Sequence, residues 1–523
     1  PTKIKGLTFA TNDAFTKAAA DQVEALKDAD VVICLAHLGV DGESKPYRST
    51  DLYAAVKGID FIIDGHSHTV MTKGENGEPI QSTGTAFANI GVIVIDDASK
   101  KIESNSLFEI KEDTAKDATV AAAAQKIIDR IDKEYGAVFA KSEVVLNGAK
   151  APNGNRDSET NNGDLITDAM VWKILQDKES LTVDADHVVA VTNGGGIRKA
   201  INPGDVTKKN INEVLPFGNT VVTIYITGAE LLEALEASTY CTPDAIGGFP
   251  QVSGINYTIS TAVAYDANAE TYPASTYYGP KSINRVTINS INGKEFKADD
   301  TYAVITNDFC GGGGDTYYAF AAATAKFDTG IPLDEVVMEY ITAELKGVIG
   351  KQYAAPQGRI LMNPFADVKA SSWFGKYVID LYNDGIINGT SATTYAPNNT
   401  LTWAAALKLL LVSNGDLKAA DATGADWSKN AIAKAAELGL VAADLDGAKA
   451  ISRLEFCQVA AKLNKLAESK TESKFTDCTD GYVMALVDAK VISGMTETTF
   501  EPAASLTRAQ IAKILYQLTL IEK

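Results

Sequence analysis

Apolar positions in the first 112 residues come in short runs separated by polar, glycine-containing turns. Residues 31–36 (Val-Val-Ile-Cys-Leu-Ala) and 61–63 (Phe-Ile-Ile) are continuous apolar runs of strand length, and residues 91–95 form a third. Helix formers fill residues 18–26 before the first run and 51–56 between the first two, so helix and strand alternate as in an α/β sandwich. Residues 119–131 predict a stronger helix, with Val120, Ala124, Ile127, Ile128 and Ile131 on one face. Beyond it a helix is expected over 165–175 and strands over 188–191 and 221–226, each strand beside a glycine-containing loop. From Pro364 helical spacing takes over, and Trp373, Tyr377 and Leu381 at i, i+4 and i+8 predict one helix face.

The tail repeats itself. Gly389, Tyr395-x-Pro397 and Leu401-Thr402 recur at one constant offset as Gly494, Phe500-x-Pro502 and Leu506-Thr507. A weaker copy lies between, at Leu438–Val441 and Ile451-Ser452-Arg453-Leu454-Glu455, which makes three repeats of roughly fifty residues.

Candidate chemistry sits where the strands end. The first two apolar runs deliver His37 and Gly65-His66-Ser67-His68, three of the four histidines in the chain. Imidazole is a good ligand for Zn, Mn and Fe. Three imidazoles supply no negative charge, however, and a two-metal hydrolytic centre needs carboxylates between cations about 3.5–4 Å apart. The residues before His37 contain no Asp-x-His, Gly-Asp or Gly-Asn-His. Asp64, at its strand end, is expected to orient a histidine from behind. In the second region four loops stand out: Asn155-Arg156, Asn193-Gly194-Gly195-Gly196-Ile197-Arg198, Leu215-Pro216-Phe217-Gly218-Asn219 and Asn307-Asp308-Phe309 running through Gly311–Gly314 to Asp315. Arginines with forked donors suit phosphate. Two phenylalanines in open loops suit stacking on a base, and a carboxylate suits a ribose diol. His187, at the approach to a strand, reads as structural.

Ala36-His37-Leu38-Gly39 followed by Gly65-His66-Ser67-His68 resembles the second half of the calcineurin-like metallophosphoesterase domain of the 5'-nucleotidase / UDP-sugar hydrolase family, and the four loops resemble that family's nucleotide-binding domain. The resemblance implies two divalent metal ions (Zn, Mn or similar), with His37 and His66 on one and His68 on the other. It implies a nucleotide held by Arg156, Asn193, Arg198, Phe217, Phe309 and Asp315, and a helix starting at Thr119 that serves as a hinge. The family's Asp-x-His, bridging Asp and Asn-His lie before the point where this chain starts. Catalytic groups are therefore expected outside it, on a preceding or separate N-terminal segment, and Pro1 reads as an internal start. The tail resembles S-layer homology (SLH) repeats, which implies a pseudo-threefold helical unit gripping anionic secondary cell-wall polymer through Thr-Arg-Ala-Glu-type motifs. Ser452-Arg453-Leu454-Glu455 and Thr507-Arg508-Ala509-Gln510 keep the arginine, whereas Thr402-Trp403-Ala404-Ala405 does not.

The expected architecture is thus a partial α/β metallophosphoesterase sandwich over 1–117, an α+β 5'-nucleotidase C-terminal domain over 118–362, and an α-rich triple repeat over 363–415, 416–470 and 471–523. The implied function is a phosphohydrolase of nucleotides anchored at a bacterial cell surface. The alternative is a non-catalytic wall-bound protein that retains a nucleotide fold. At 523 residues the chain has room for several domains. Forty-eight Lys and Arg against 67 Asp and Glu give a net charge of −19, which argues against nucleic acid polymers as partners. No apolar run reaches membrane-spanning length. The five cysteines are scattered and odd in number, without Cys-x-x-Cys spacing; no disulfide framework follows, and their order does not say which would pair in a bridge.

Overall fold

A computed structural model of the chain describes residue 10 and residues 13–263, 283–323 and 325–521. Pro1 lies outside them. Two compact units are present: one runs to Tyr257 and resumes through Ile360, and the other takes the short segment after Tyr257 and everything from Leu361.

In the first unit, Ile33–Leu35 and Phe61–Asp64 are parallel neighbours, with Ile33 opposite Phe61 and Leu35 opposite Ile63. His37 and His66 therefore leave the sheet from the same end. Ile80–Thr83 and Val70–Met71 complete the four strands. The helices expected over 18–26 and 51–56 run Asp13–Ala25 and Ser49–Ala55, and Leu52 packs with Val56, Ile59, Ile62 and Ile80. The strand expected over 91–95 runs Asn89–Ile95. Among the described residues it pairs with Ile102–Glu109 in its own two-stranded ladder and does not extend the α/β sheet. The helix expected over 119–131 runs Ala118–Tyr135, started by Asp117, whose carboxylate accepts from the N–H groups of Thr119 and Val120. Its apolar stripe is not buried: Val120, Ile127 and Ile128 are exposed. Periodicity specifies a face, but burial requires a partner for it, and on the described residues the helix meets Lys208–Val214 instead, through an Asp132–Lys209 ion pair of 2.6 Å.

The rest of this unit is built on a five-stranded sheet in the order Pro250–Ser253, Val188–Asn193, Thr301–Asn307, Thr220–Thr227, Ala325–Pro332. The second and third strands are parallel, with Ala303 opposite Val188. The remaining neighbours are antiparallel: Pro250 faces Asn193, Val221 faces Asn307 and Thr220 faces Pro332. One edge of the sheet thus collects the ends of the strands that finish at Asn193, Asn307 and Pro332, and the starts of those that begin at Thr220 and Pro250. The loops carrying Asn193–Arg198, Phe217 and Phe309–Asp315 open there, as expected of a ligand site outside strand ends. The Asn161–Leu175 helix buries Leu165, Ile166, Ala169 and Met170 beneath the sheet.

In the second unit six helices are described, two per repeat, from Gly375–Asn383 to Arg508–Thr519. The weak middle copy supplies Trp427–Glu437 and Arg453–Leu463. Trp373 does not share the face of Tyr377 and Leu381. Turn hydrogen bonds from Ser372 N–H to the Lys369 carbonyl and from Gly375 N–H to the Ser372 carbonyl delay the helix until Gly375, which leaves Trp373 59% exposed. The recurring Ser/Thr-x-x-Glu/Gln has a local cause. Ser452 and Thr507 cap their helices, and the side chains of Glu455 and Gln510 reach back to close capping boxes; Thr402 caps alone. Bridges Thr400–Thr507, Thr402–Ala450 and Ser452–Ser505 join the copies cyclically. N–H groups do the same: Trp403 donates to Lys449, Arg453 to Ala504 and Arg508 to Asn399.

The two arginines work across these junctions. Arg453, 7% exposed, lies 4.6 Å over the Phe500 ring and donates to the Ser493 carbonyl at 2.7 Å. Arg508 lies 4.3 Å over Tyr395 and donates to the carbonyls of Tyr395 and Asn388, both at 2.7 Å. Trp403 fills the third position. Arg453→Ala is expected to destabilise this unit by about 2–4 kcal/mol, losing a buried charged hydrogen bond and a desolvated cation–π contact. Arg508→Ala, at a more open junction, should cost less. Urea unfolding of the full chain followed by circular dichroism measures both; a change under about 0.5 kcal/mol for Arg453→Ala, the range of an ordinary surface substitution, would remove this role. All five cysteines are free.

Candidate functional site

Loops from the sheet edge and the histidine loops of the first sheet line one cavity of about 900 Å³. His37, His66 and His68 lie on it together with Arg156, Asn193, Arg198, Phe217, Phe309 and Asp315. Nine of the residues singled out in the sequence thus meet in one space; Arg453 and Arg508 belong to the repeat unit.

The His37 and His66 rings stand edge to face, 5.2 Å between centroids. Gly65 permits this approach, since a Cβ there would lie 3.2 Å from His37 Nδ1. His66 and His68 both have positive φ, 67° and 56°, and so does Asp315 at 49°. Left-handed backbone at non-glycine residues costs energy and persists where the surroundings impose it. Asp64 is one such constraint. Its Oδ1 accepts from the N–H groups of Leu38, Gly39 and Gly65, at 2.9, 3.2 and 2.7 Å. It therefore ties the two histidine loops together through their backbone, in place of the expected hydrogen bond to an imidazole. Lys150 is a second: Nζ donates to the Ser67 carbonyl at 2.8 Å and pairs with Asp41 at 3.4 Å. Nothing in the local sequence marks Lys150, because its target loop lies far away along the chain.

The electrostatics of this side are cationic. Burial comes first in lowering the His68 pKa, with Arg198, Lys150, Arg156 and His66 adding to it. Burial and the neighbouring Arg156 likewise lower that of Arg198. Arg198 donates to the Gly195 carbonyl at 3.1 Å and lies 5.6 Å over the Phe217 ring. Two guanidinium groups close enough to repel each other make a site for an anion.

Imidazoles are nitrogen donors suited to a metal centre, but His37, His66 and His68 line the cavity without forming a ligand set. Among the described residues no group of three or more His, Cys, Asp or Glu side chains could hold a metal ion.

Phe217 and Phe309 supply aromatic surface to the same cavity. Phe309 is carried on the short Asp308–Gly311 helix, capped by Asn307, and its ring lies where a Cβ on Gly314 would come within 2.6 Å. Phe217 projects from the loop before Thr220. Asn193 Nδ2 donates to Asp315 at 2.8 Å. Asn219, Asn307 and Asp334 also line the cavity; side-chain amides in loops carry little sequence signal, and only the convergence of the strands reveals them. His187 lies away from this cavity. It bonds Asp186 at 2.6 Å and Asp300 at 3.3 Å and stacks on Tyr302, and the Asp186 bond above all raises its pKa.

Comparison with known proteins fits this geometry. Residues 138–322 match the 5'-nucleotidase C-terminal domain family, and residues 364–406 and 477–512 match the S-layer homology domain family. The chain is 32% identical over 379 residues to the trifunctional nucleotide phosphoesterase protein YfkN of Bacillus subtilis, which covers 69% of this chain and 23% of that protein. It is 26% identical over 388 residues to the 5'-nucleotidase of Homo sapiens, covering 68% of this chain and 62% of that protein. The chain therefore spans less than two thirds of the length of either relative. In fold it is similar to the 5'-nucleotidase precursor from Thermus thermophilus, with a TM-score of 0.50 and 24% identity over 66% of this chain and 67% of that one.

Proposed function

From the premise that the chain carries a 5'-nucleotidase C-terminal domain followed by S-layer homology domains, we propose that this protein is a nucleotide phosphohydrolase anchored at a bacterial cell surface. The observation that carries the reading is the single cavity shared by three histidines, two arginines, two phenylalanines and Asp315. In this reading the base stacks between Phe217 and Phe309, Asp315 accepts from the ribose hydroxyls with Asn193 beside it, and Arg156 and Arg198 neutralise the phosphate. The phosphate then points at His37, His66 and His68. Those imidazoles would supply nitrogen donors to divalent metal, which when bound polarises a phosphoryl oxygen and activates water. The arginines hold the phosphate in line.

The tail places the enzyme on anionic wall polymer, with Arg508, the more open of the two junction arginines, as its cationic contact. No described helix is long and apolar enough to cross a membrane.

Two measurements test this. Calorimetric titration of the chain with a 5'-nucleotide is expected to give one site. The protein as displayed on cells is expected to release phosphate from that nucleotide and to lose this activity in His66→Ala. Binding without release in the displayed protein would leave a wall-bound nucleotide-binding protein, and no binding at all would remove both readings. Wall association is checked separately: the protein should sediment with purified wall, and Arg508→Ala should weaken this. Equal sedimentation with acid-stripped wall, from which the polymer is gone, would overturn polymer recognition.

A further inference from the structure

Resting on the nucleotide reading above, we infer that Asn307, which touches neither base nor ribose in that reading, is the positioning residue that makes the site selective for ribose over deoxyribose. The geometry points to a one-way relay of side-chain amides beneath the cavity. Asn307, 3% exposed, ends the Thr301–Asn307 strand and caps the helix that carries Phe309.

The orientation of its amide is fixed from both ends. Asn307 Oδ1 accepts the backbone N–H of Cys310 at 2.8 Å, and that group can only donate. Nδ2 must then point the other way, where it donates to Thr192 Oγ1 at 3.0 Å and to Asn193 Oδ1 at 3.1 Å. With its oxygen so engaged, Asn193 turns Nδ2 toward Asp315, donating at 2.8 Å to a carboxylate that can only accept. Asn219 adds a donor at the far end, 3.4 Å from Asn307 Oδ1. A backbone donor at one end and a carboxylate at the other leave one consistent direction for the whole chain. Asp315 is held at a positive φ of 49°, a backbone state that persists where its surroundings impose it. Asn193 is one donor that aims its carboxylate, and Asn307 sets which way Asn193 faces. Buried amides in a satisfied series of this kind rigidify a site, and a reversed member leaves two acceptors face to face.

The discriminating variant is Asn307→Asp. A carboxylate still caps the Phe309 helix and still accepts from Cys310, but it has no N–H for Asn193. Asn193 is then driven to turn its amide over and present oxygen to Asp315. The base slot keeps its support while the ribose carboxylate loses the Asn193 donor and meets an acceptor instead.

The test compares adenosine with 2',3'-dideoxyadenosine by calorimetric titration of the full chain, wild type against Asn307→Asp, with Asp315→Asn as reference. Wild type should bind adenosine about 10- to 100-fold more tightly, the range for hydrogen bonds to a charged acceptor. In Asn307→Asp the ratio should fall to within about 3-fold, as in Asp315→Asn, with dideoxyadenosine binding nearly unchanged. The double variant should lose no more than Asp315→Asn alone. Because the ratio compares two ligands on one sample, a lowered folded fraction does not alter it. A merely structural Asn307 would weaken both ligands alike and keep the ratio, which would overturn the inference. Failure of the wild type to bind either nucleoside would instead remove the nucleotide reading beneath it.

Discussion

Phe309→Ala is expected to weaken nucleotide binding by about 1–3 kcal/mol, roughly 5- to 150-fold in Kd, the cost of one lost base–aromatic stack. The size follows from how the ring is held. Its helix is capped by the Asn307 side chain, and the ring rests against the backbone of Gly314, where no Cβ intervenes. A ring fixed in this way loses little rotamer freedom when a base arrives, so most of the stacking energy appears as affinity. Phe217→Ala should fall in the same range with a different signature. Phe217 is 61% exposed and lies under the Arg198 guanidinium. Its removal frees that arginine as well, so the loss should grow with a nucleotide's phosphate charge and shrink with the bare nucleoside. Calorimetric titration of both variants with a nucleoside and its 5'-monophosphate separates the two effects. Unchanged affinity in both variants would remove the base sandwich.

The second large effect concerns Asp164. The stability of the first unit is expected to fall as pH rises from about 4 to about 8, with a slope of up to about 1.4 kcal/mol per pH unit from this one group. Asp164 is 1% exposed. Burial, reinforced by the Glu159 carboxylate, pushes its pKa up to about 8. Arg359 offsets this only in part, because it is shared: its guanidinium lies 2.8 Å from Asp168 and 3.4 Å from Asp164. The sign follows. Below the ordinary carboxylate range both states are protonated. Between there and about 8 the unfolded chain has released the proton and the folded chain keeps it. The unfolded state binds fewer protons, so rising pH favours it until the folded carboxyl ionises too. Asp164→Asn keeps an acceptor for the Gln357 N–H, which bonds Asp164 at 3.1 Å, and removes the titration. Its stability should therefore be flatter over this window and higher than wild type at pH 8. Urea unfolding of both proteins at several pH values decides it, and parallel profiles would overturn the assignment.

Much of this protein was legible in the order of its residues. The apolar runs ending in His37 and His66 predict strands, and both are found, because a continuous β-prone run bounded by turns has few other ways to bury itself. The repeat offset predicts three similar units, and the middle one forms its two helices although its motif is weak. The four loops were identified as one site by their chemistry, and they do line one cavity. The misses have a common cause. The stripe from Val120 to Ile131 predicts a buried face, yet it is exposed, since a period specifies a surface and not what covers it. Trp373 fits the helical spacing but precedes the helix, because two turn hydrogen bonds set the start.

The sequence by itself determined the local elements, the capping boxes of the repeats and the identity of the reactive side chains, since these depend on residues a few positions apart. Tertiary structure alone decided the rest. The parallel pairing of Val188–Asn193 with Thr301–Asn307 brings Asn193 and Asn307 to one edge, although 114 positions separate them. That pairing turns isolated asparagines into a relay and sets Asp315 beside it. Lys150 reaches Ser67, and Asp64 gathers two loops, by the same kind of distant convergence. Arg453 and Arg508 show the limit most plainly: their motif marks them as cationic, but only the cyclic closure of the repeats places each guanidinium over an aromatic ring of another repeat. A residue's chemistry is written in its side chain, whereas the groups it meets are set by contacts that have no signature in neighbouring positions.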